Sequence, residues 1–184
     1  MEGTKQENIV ERKEKPKILY IGTQTKGIKE ITPRKGNYRD ENEGAVIFST
    51  PEKALASIFM IPGHNDSWTK IGYYENVLTV VICMDRDEYV KKDKGGTVYE
   101  VPSNSFDYNA DIGMGDKEWT SREPVKPVGE TYYPSSLDAM IDNGVSVYFV
   151  DKKTFDAIRY ADDHGREIIY SLTSENNRRE KQMN

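Results

Sequence analysis

Residues 76–84, "NVLTVVICM", constrain the fold most: the run of aliphatic and β-branched residues makes this the strongest central strand in the chain. It falls well short of the roughly 20 apolar residues of a membrane-crossing helix, so its apolar surface has to be covered by the rest of the protein. The stretch 96–102, "GTVYEVP", has the alternation of another strand and follows a hairpin-like "KKDKGG". Residues 17–21, "KILYI", repeat the buried pattern and stop at Gly22, which lets the chain turn.

Residues 45–50, "AVIFST", form a short strand, and a helix starts directly after it. Thr50 suits its cap, Pro51 its first position and Glu52 its positive end, while Ala54, Leu55, Ile58 and Phe59 make an apolar stripe. Weaker strand patterns lie at 117–120 and 125–133. A serine-capped helix stopped by Gly144 follows at 134–144, then the strand "VSVYFV" at 145–150. Phe155, Ile158, Ala161, Ile168 and Leu172 continue as helix after Asp151, with Gly165 placed to split it in two.

Strands dominate the middle and helices interrupt them irregularly, which predicts an α+β domain with antiparallel or mixed sheets. The expected limits are a flexible lead-in at 1–15, one domain at 16–174 and a frayed tail at 175–184. A chain of 184 residues is enough for one such core.

The net charge of −5 leaves no broad basic field for duplex nucleic acid or anionic lipid. The one cysteine, Cys83, lies in the apolar run and reads as a buried thiol, so neither a disulfide framework nor a cysteine metal site is built. No metal is expected at His64 or His164 either, since both stand in polar loops with nothing around them that makes a metal set; each reads as a solvated loop histidine, with a ligand or acid–base role as the other reading. The amino terminus lacks the apolar core of a signal peptide, which predicts a cytoplasmic protein.

Walker A loops, dinucleotide-binding glycine fingerprints, zincin helices and nucleophile elbows are absent. What stands out is an ordered set of three short motifs: "LYIGT" at 19–23, "AVIFSTPEKALASIF" at 45–59 and "KEWTSREPVKPV" at 117–128. Together they resemble the ADP-ribosyltransferase-like superfamily. It includes poly(ADP-ribose) polymerases, RNA 2′-phosphotransferases and small bacterial and phage proteins that open with "YHGT" or "YHGS". The resemblance covers roughly residues 17–130 and implies two small mixed or antiparallel sheets around a cleft that grips NAD, with flanking helices.

Carried onto this chain, the resemblance implies a cofactor site of Tyr20, Ile21, Gly22, Thr23, Arg34, Phe48, Ser49 and Thr50. Gly22 would hold the nicotinamide carboxamide through its main chain. Phe48 would stack under the ring, with Ser49 and Thr50 at the cleft edge. Arg34, with Lys35 and Arg39, would meet the phosphates, although Asp40, Glu41 and Glu43 equally suit a solvated surface run. Phe48 reads as well as a core residue and Thr50 as a plain cap.

The family's late-strand acid polarises a ribose hydroxyl and stabilises an oxocarbenium-like transition state. Glu118 and Glu123 are the candidates, Glu118 matching better beside Trp119; an exposed carboxylate is the other reading of each. The family's histidine on the first strand is Ile21 here, a side chain that neither donates nor accepts a hydrogen bond.

The implied function is therefore binding of NAD, ADP-ribose or a related nucleotide with weak or no catalysis, in a phage accessory or anti-defence setting. An active mono-ADP-ribosyltransferase with a variant triad and a non-catalytic interaction module on the same fold stay open. The partners implied are a small nucleotide and a protein target, with neither membrane nor duplex nucleic acid.

Overall fold

The computed structural model describes residues 14–35 and 42–183. Most of the expected lead-in, together with Arg39, lies outside the described residues. In chain order the elements are β1 (Ile18–Thr23), β2 (Ile47–Ser49), α1 (Lys53–Ile58), β3 (Thr69–Tyr74), β4 (Val77–Cys83), α2 (Arg86–Lys92) and β5 (Gly96–Pro102). There follow β6 (Trp119–Ser121), β7 (Gly129–Tyr133), α3 (Ser136–Asp142), β8 (Ser146–Val150), α4 (Lys152–Tyr160), α5 (Arg166–Ser171) and α6 (Glu175–Met183).

The fold is mixed α+β with small antiparallel and mixed sheets. Strand β4 is the centre of the sheet β3-β4-β8, antiparallel to β3 and parallel to β8. Both of its faces are covered. Leu78, Val80 and Ile82 pack with Leu55 and Ile58 of α1 and Leu137 and Met140 of α3, while Val81 packs with Phe155, Ile158 and Ile169. The second sheet, β1-β5-β7, is antiparallel throughout, and β2 pairs with β6. Tyr20 and Thr50 exchange backbone hydrogen bonds of 2.7 and 3.0 Å, which stitches β2 to the free edge of β1. Helix α1 lies between the two sheets: Leu55 and Ile58 face β4, and Ala56 packs with Val98 of β5.

Several elements differ from expectation, each for a local physical reason. The segment after β4 is helix α2, so β4 and β5 belong to different sheets and make no hairpin. Asp85 caps the helix by accepting from the N–H groups of Asp87 and Glu88, at 2.9 and 3.1 Å, and Lys91 and Lys92 complement its far end. The true hairpin is β3–β4, closed by Glu75 and Asn76 at φ 50° and 66°. Two positive φ values in succession suit a type I′ turn.

Thr50 does not cap α1. Its backbone is committed to Tyr20, its Oγ1 accepts from the Glu52 N–H at 3.1 Å, and the cap position passes to Glu52. Of the stretch 125–133 only β7 is strand, although Val125 makes an isolated bridge with Ile31. The pattern at 117–120 resolves into a 3-10 turn, Gly115–Lys117, and then β6.

The carboxy-terminal segment forms helix α6. Asn176 accepts from the Val147 N–H at 3.1 Å and donates to the Val145 carbonyl at 2.9 Å, closing the edge of β8 with side-chain groups. Glu175, buried, pairs with Arg86. Gly165 does separate α4 from α5, at φ 81°.

Candidate functional site

The cleft begins at Gly22. A Cβ built there would collide with the carbonyl oxygen of Ala56, so the glycine is what lets α1 approach β1. Along an antiparallel strand, successive residues direct their peptide groups to opposite edges. Tyr20 uses its groups on Thr50, so Ile21 points toward β5 and Gly22 back toward the β2 edge, where the antiparallel register sets Phe48 opposite it and the isolated bridge across the edge is the Tyr20–Thr50 pair. Gly22 thus offers main-chain polar groups to a cleft of about 1090 Å³.

Residues from all three motifs line that cleft. Tyr20, Ile21 and Gly22 come from β1, Phe48, Ser49 and Thr50 from β2 and its end, and Glu118 from the link between the 3-10 turn and β6. Thr23 and Arg34 lie in an adjoining cavity of about 290 Å³, which shares Ile21 and Phe48 with the larger one and also includes Lys35. The backbone of Arg34 is held to Val46 by a pair of hydrogen bonds at 3.1 and 3.3 Å. Glu123 is not brought to either cavity; it is exposed, and its main chain bonds with Ser121 Oγ on both sides.

Each side chain is held by a different device. Phe48 projects from the face of β2 opposite the buried Ile47 and Ser49, so it is half-buried and not a core residue. Ile21 packs with Ile31 against the Leu19, Ile47 and Phe106 cluster, which makes it a wall of hydrocarbon. Glu118 accepts a hydrogen bond from the Met114 N–H at 3.0 Å. Its neighbour Lys117 pairs with Glu52, which also accepts from the Tyr73 hydroxyl. This tie between the start of α1 and the 3-10 turn fixes the position of Glu118. Burial, reinforced by Glu52, raises the Tyr73 phenol well above its ordinary value and keeps it protonated.

His64 also lines the cleft, as do Asp66, Lys70, Lys117 and Arg159. The expectation of a solvated loop histidine is corrected here: the ring is half-buried. It meets Phe59 edge to face at 5.6 Å, and its Nδ1 lies 2.7 Å from Thr69 Oγ1. The loop that carries it is tightly tied, with Asn65 bonded to Ser67 and Gly63, and Trp68 bonded to Gly63. Burial lowers the imidazole pKa below 6.5 despite the opposing pull of Asp66. No local pattern marked His64, because its burial and its partner Thr69 come from the return of the loop into β3. His164 has a different role, with its carbonyl accepting from Tyr74 at 2.7 Å, away from the cleft lining.

Among the described residues, no three His, Cys, Asp or Glu side chains are grouped as a metal ion would require, and no helix is long and apolar enough to cross a membrane. Comparison with protein-family models, curated proteins and solved structures gives no match to this chain.

Proposed function

We propose that this chain is an ADP-ribosyltransferase-like domain whose cleft binds NAD, ADP-ribose or a related nucleotide, with weak or no catalysis. The observation that carries the reading is that Tyr20 to Gly22, Phe48 to Thr50 and Glu118, from three stretches far apart in sequence, line one cleft. Its size and its mixture of apolar wall and a few polar groups suit a small organic ligand.

In this reading the main chain of Gly22 receives the nicotinamide carboxamide at the open edge of β1, and Phe48 supplies a face for the ring. Thr23, Arg34 and Lys35 in the adjoining cavity take the pyrophosphate. Glu118 sets a carboxylate beside the ribose, where positive charge develops if the glycosidic bond breaks. Ile21 provides packing and no hydrogen bond, which removes one anchor of the ligand and argues for binding over turnover.

A second reading, an active mono-ADP-ribosyltransferase with a variant triad, draws its support from Glu118, whose carboxylate is positioned in the cleft. One experiment separates the two. Melting temperature and calorimetric titration are followed with NAD, ADP-ribose, cyclic ADP-ribose and nicotinamide, and nicotinamide release from NAD is then measured. A ligand of the native state raises the melting temperature in step with its concentration over its Kd. Absence of any shift defeats the nucleotide reading. Steady release abolished by Glu118→Gln establishes the enzyme instead.

A further inference from the structure

His64 is the cleft residue whose proton arrangement can be worked out from its neighbours. Thr69 Oγ1 lies 2.6 Å from the Asn65 carbonyl oxygen and 2.7 Å from His64 Nδ1. A carbonyl oxygen only accepts, and two oxygens at that separation repel unless a proton lies between them. The single hydroxyl proton of Thr69 therefore goes to Asn65. The hydroxyl oxygen is left to accept, so Nδ1 of His64 carries a hydrogen and donates it. A neutral imidazole with its proton on Nδ1 has a lone pair on Nε2.

The ring is braced by Phe59 on one side and tied to the start of β3 through Nδ1, which leaves Nε2 as the polar atom for the cleft that His64 lines. Only a donor can satisfy that lone pair. Most polar groups of a nucleotide are acceptors, and the hydroxyls of its sugars are the abundant neutral donors. We propose that Nε2 of His64 accepts a hydrogen bond from a ribose hydroxyl of the bound nucleotide, so that affinity is carried by the neutral imidazole. The contact rests on the nucleotide reading and names the part of the ligand that this end of the cleft recognises.

Charge in the cleft sets the pH range. Asp66, Lys70, Lys117, Glu118 and Arg159 share the cleft with His64, and of these Asp66 acts to raise its pKa while burial lowers it further. Because burial holds its pKa below the ordinary value, the imidazole is neutral at neutral pH, and acidification adds a proton at Nε2 and turns the acceptor into a donor.

The test is calorimetric titration of the full chain with ADP-ribose between about pH 5.5 and 8, the range in which an imidazole changes charge. Wild-type affinity is expected to be flat at the upper end and to fall on acidification. His64→Phe is expected to bind about tenfold more weakly at the upper end, the loss of one net hydrogen bond, and to show no pH dependence. His64→Gln, which offers a carbonyl oxygen that does not titrate, is expected to keep most of the affinity and lose the pH dependence. A merely structural histidine would instead weaken binding equally in both variants.

Wild-type binding that is unchanged by pH and by His64→Phe overturns the contact and leaves the nucleotide reading standing. Absence of ADP-ribose binding at every pH overturns both. Nitrogen NMR of the imidazole in the free protein supplies a check that needs no ligand: a hydrogen on Nε2 at neutral pH overturns the contact.

Discussion

Strands β4 and β1 look alike as sequence, each a short run of branched aliphatic residues, yet they have opposite tasks. Strand β4 is paired on both edges and covered on both faces, with α1 and α3 on one side and α4 and α5 on the other. Strand β1 is paired along one edge with β5, while its other edge meets β2 through the Tyr20–Thr50 bridge and then faces the cleft. A strand with complete neighbours contributes stability. One left with an open edge contributes stability and also turns main-chain groups at Gly22 toward the cleft.

The largest expected effect breaks the β4 side. Ile82 is fully buried, and Ile82→Ala should cost about 4 kcal/mol in urea unfolding while leaving the ligand affinity of the remaining folded protein unchanged. A loss under about 1 kcal/mol would remove the distinction between the two strands. Next comes Gly22→Ala, whose methyl group meets the Ala56 carbonyl. It should cost about 2 to 3 kcal/mol and, unlike the β4 variant, also abolish the melting-temperature shift produced by nucleotide. If the variant keeps that shift, the open edge of β1 is not where the ligand docks.

A pH-dependent effect sharpens the comparison at the junction between the sheets. Asp93, just before β5, accepts from the N–H groups of Gly95, Ser136 and Leu137 at 2.9, 2.9 and 3.1 Å, tying β5 to the start of α3. Burial opposes its ionisation, but these bonds win and hold the carboxyl below its ordinary value of 3.8. Because the folded value is the lower one, the stability contributed by Asp93 is complete above pH 3.8 and disappears as pH falls through the folded value. Unfolding measured from neutral to acid pH should therefore show an acid-side loss that is shallower in Asp93→Asn. Equal slopes would remove Asp93 as its source.

The smallest effect concerns Ile21. Ile21→His restores a hydrogen-bonding group to a cleft wall and should improve NAD or ADP-ribose affinity several-fold, about 1 kcal/mol, with a stability loss of similar size from the lost hydrocarbon packing. Unchanged or weaker binding would mean that β1 has been matched to the wrong position.

Those parts of the fold whose residues bury their own side chains were readable in advance. The apolar runs of β1, β4 and β8, the stripe of α1, the serine cap of α3 and the break at Gly165 report burial or backbone conformation through periodicity and residue type. Strand β3 was hidden because Lys70, Gly72 and the exposed Tyr73 interrupt its pattern on a sheet edge. Helices α2 and α6 were hidden because they are short and charged, and what anchors them is a cap on Asp85, an Arg86–Glu175 pair and the Asn176 amide, none of which is periodic. At the cleft, Tyr20 to Gly22, Phe48 to Thr50 and Glu118 were singled out only through the resemblance of their motifs to a family, and the structure lines one cavity with them. The place of His64 could not be anticipated, because its partner Thr69 and its burial depend on how a loop returns into β3.

The sequence by itself determined where strands and helices must be covered, since burial of apolar side chains is a local demand written residue by residue. It also determined that position 21 holds no hydrogen-bonding group and that a glycine follows it. Only the tertiary structure decided that the missing Cβ of Gly22 admits α1, that the peptide groups of Gly22 turn to the cleft, and that His64 joins them there. Those outcomes depend on which edges and faces remain uncovered after packing, a property of the assembled sheets that no single segment contains.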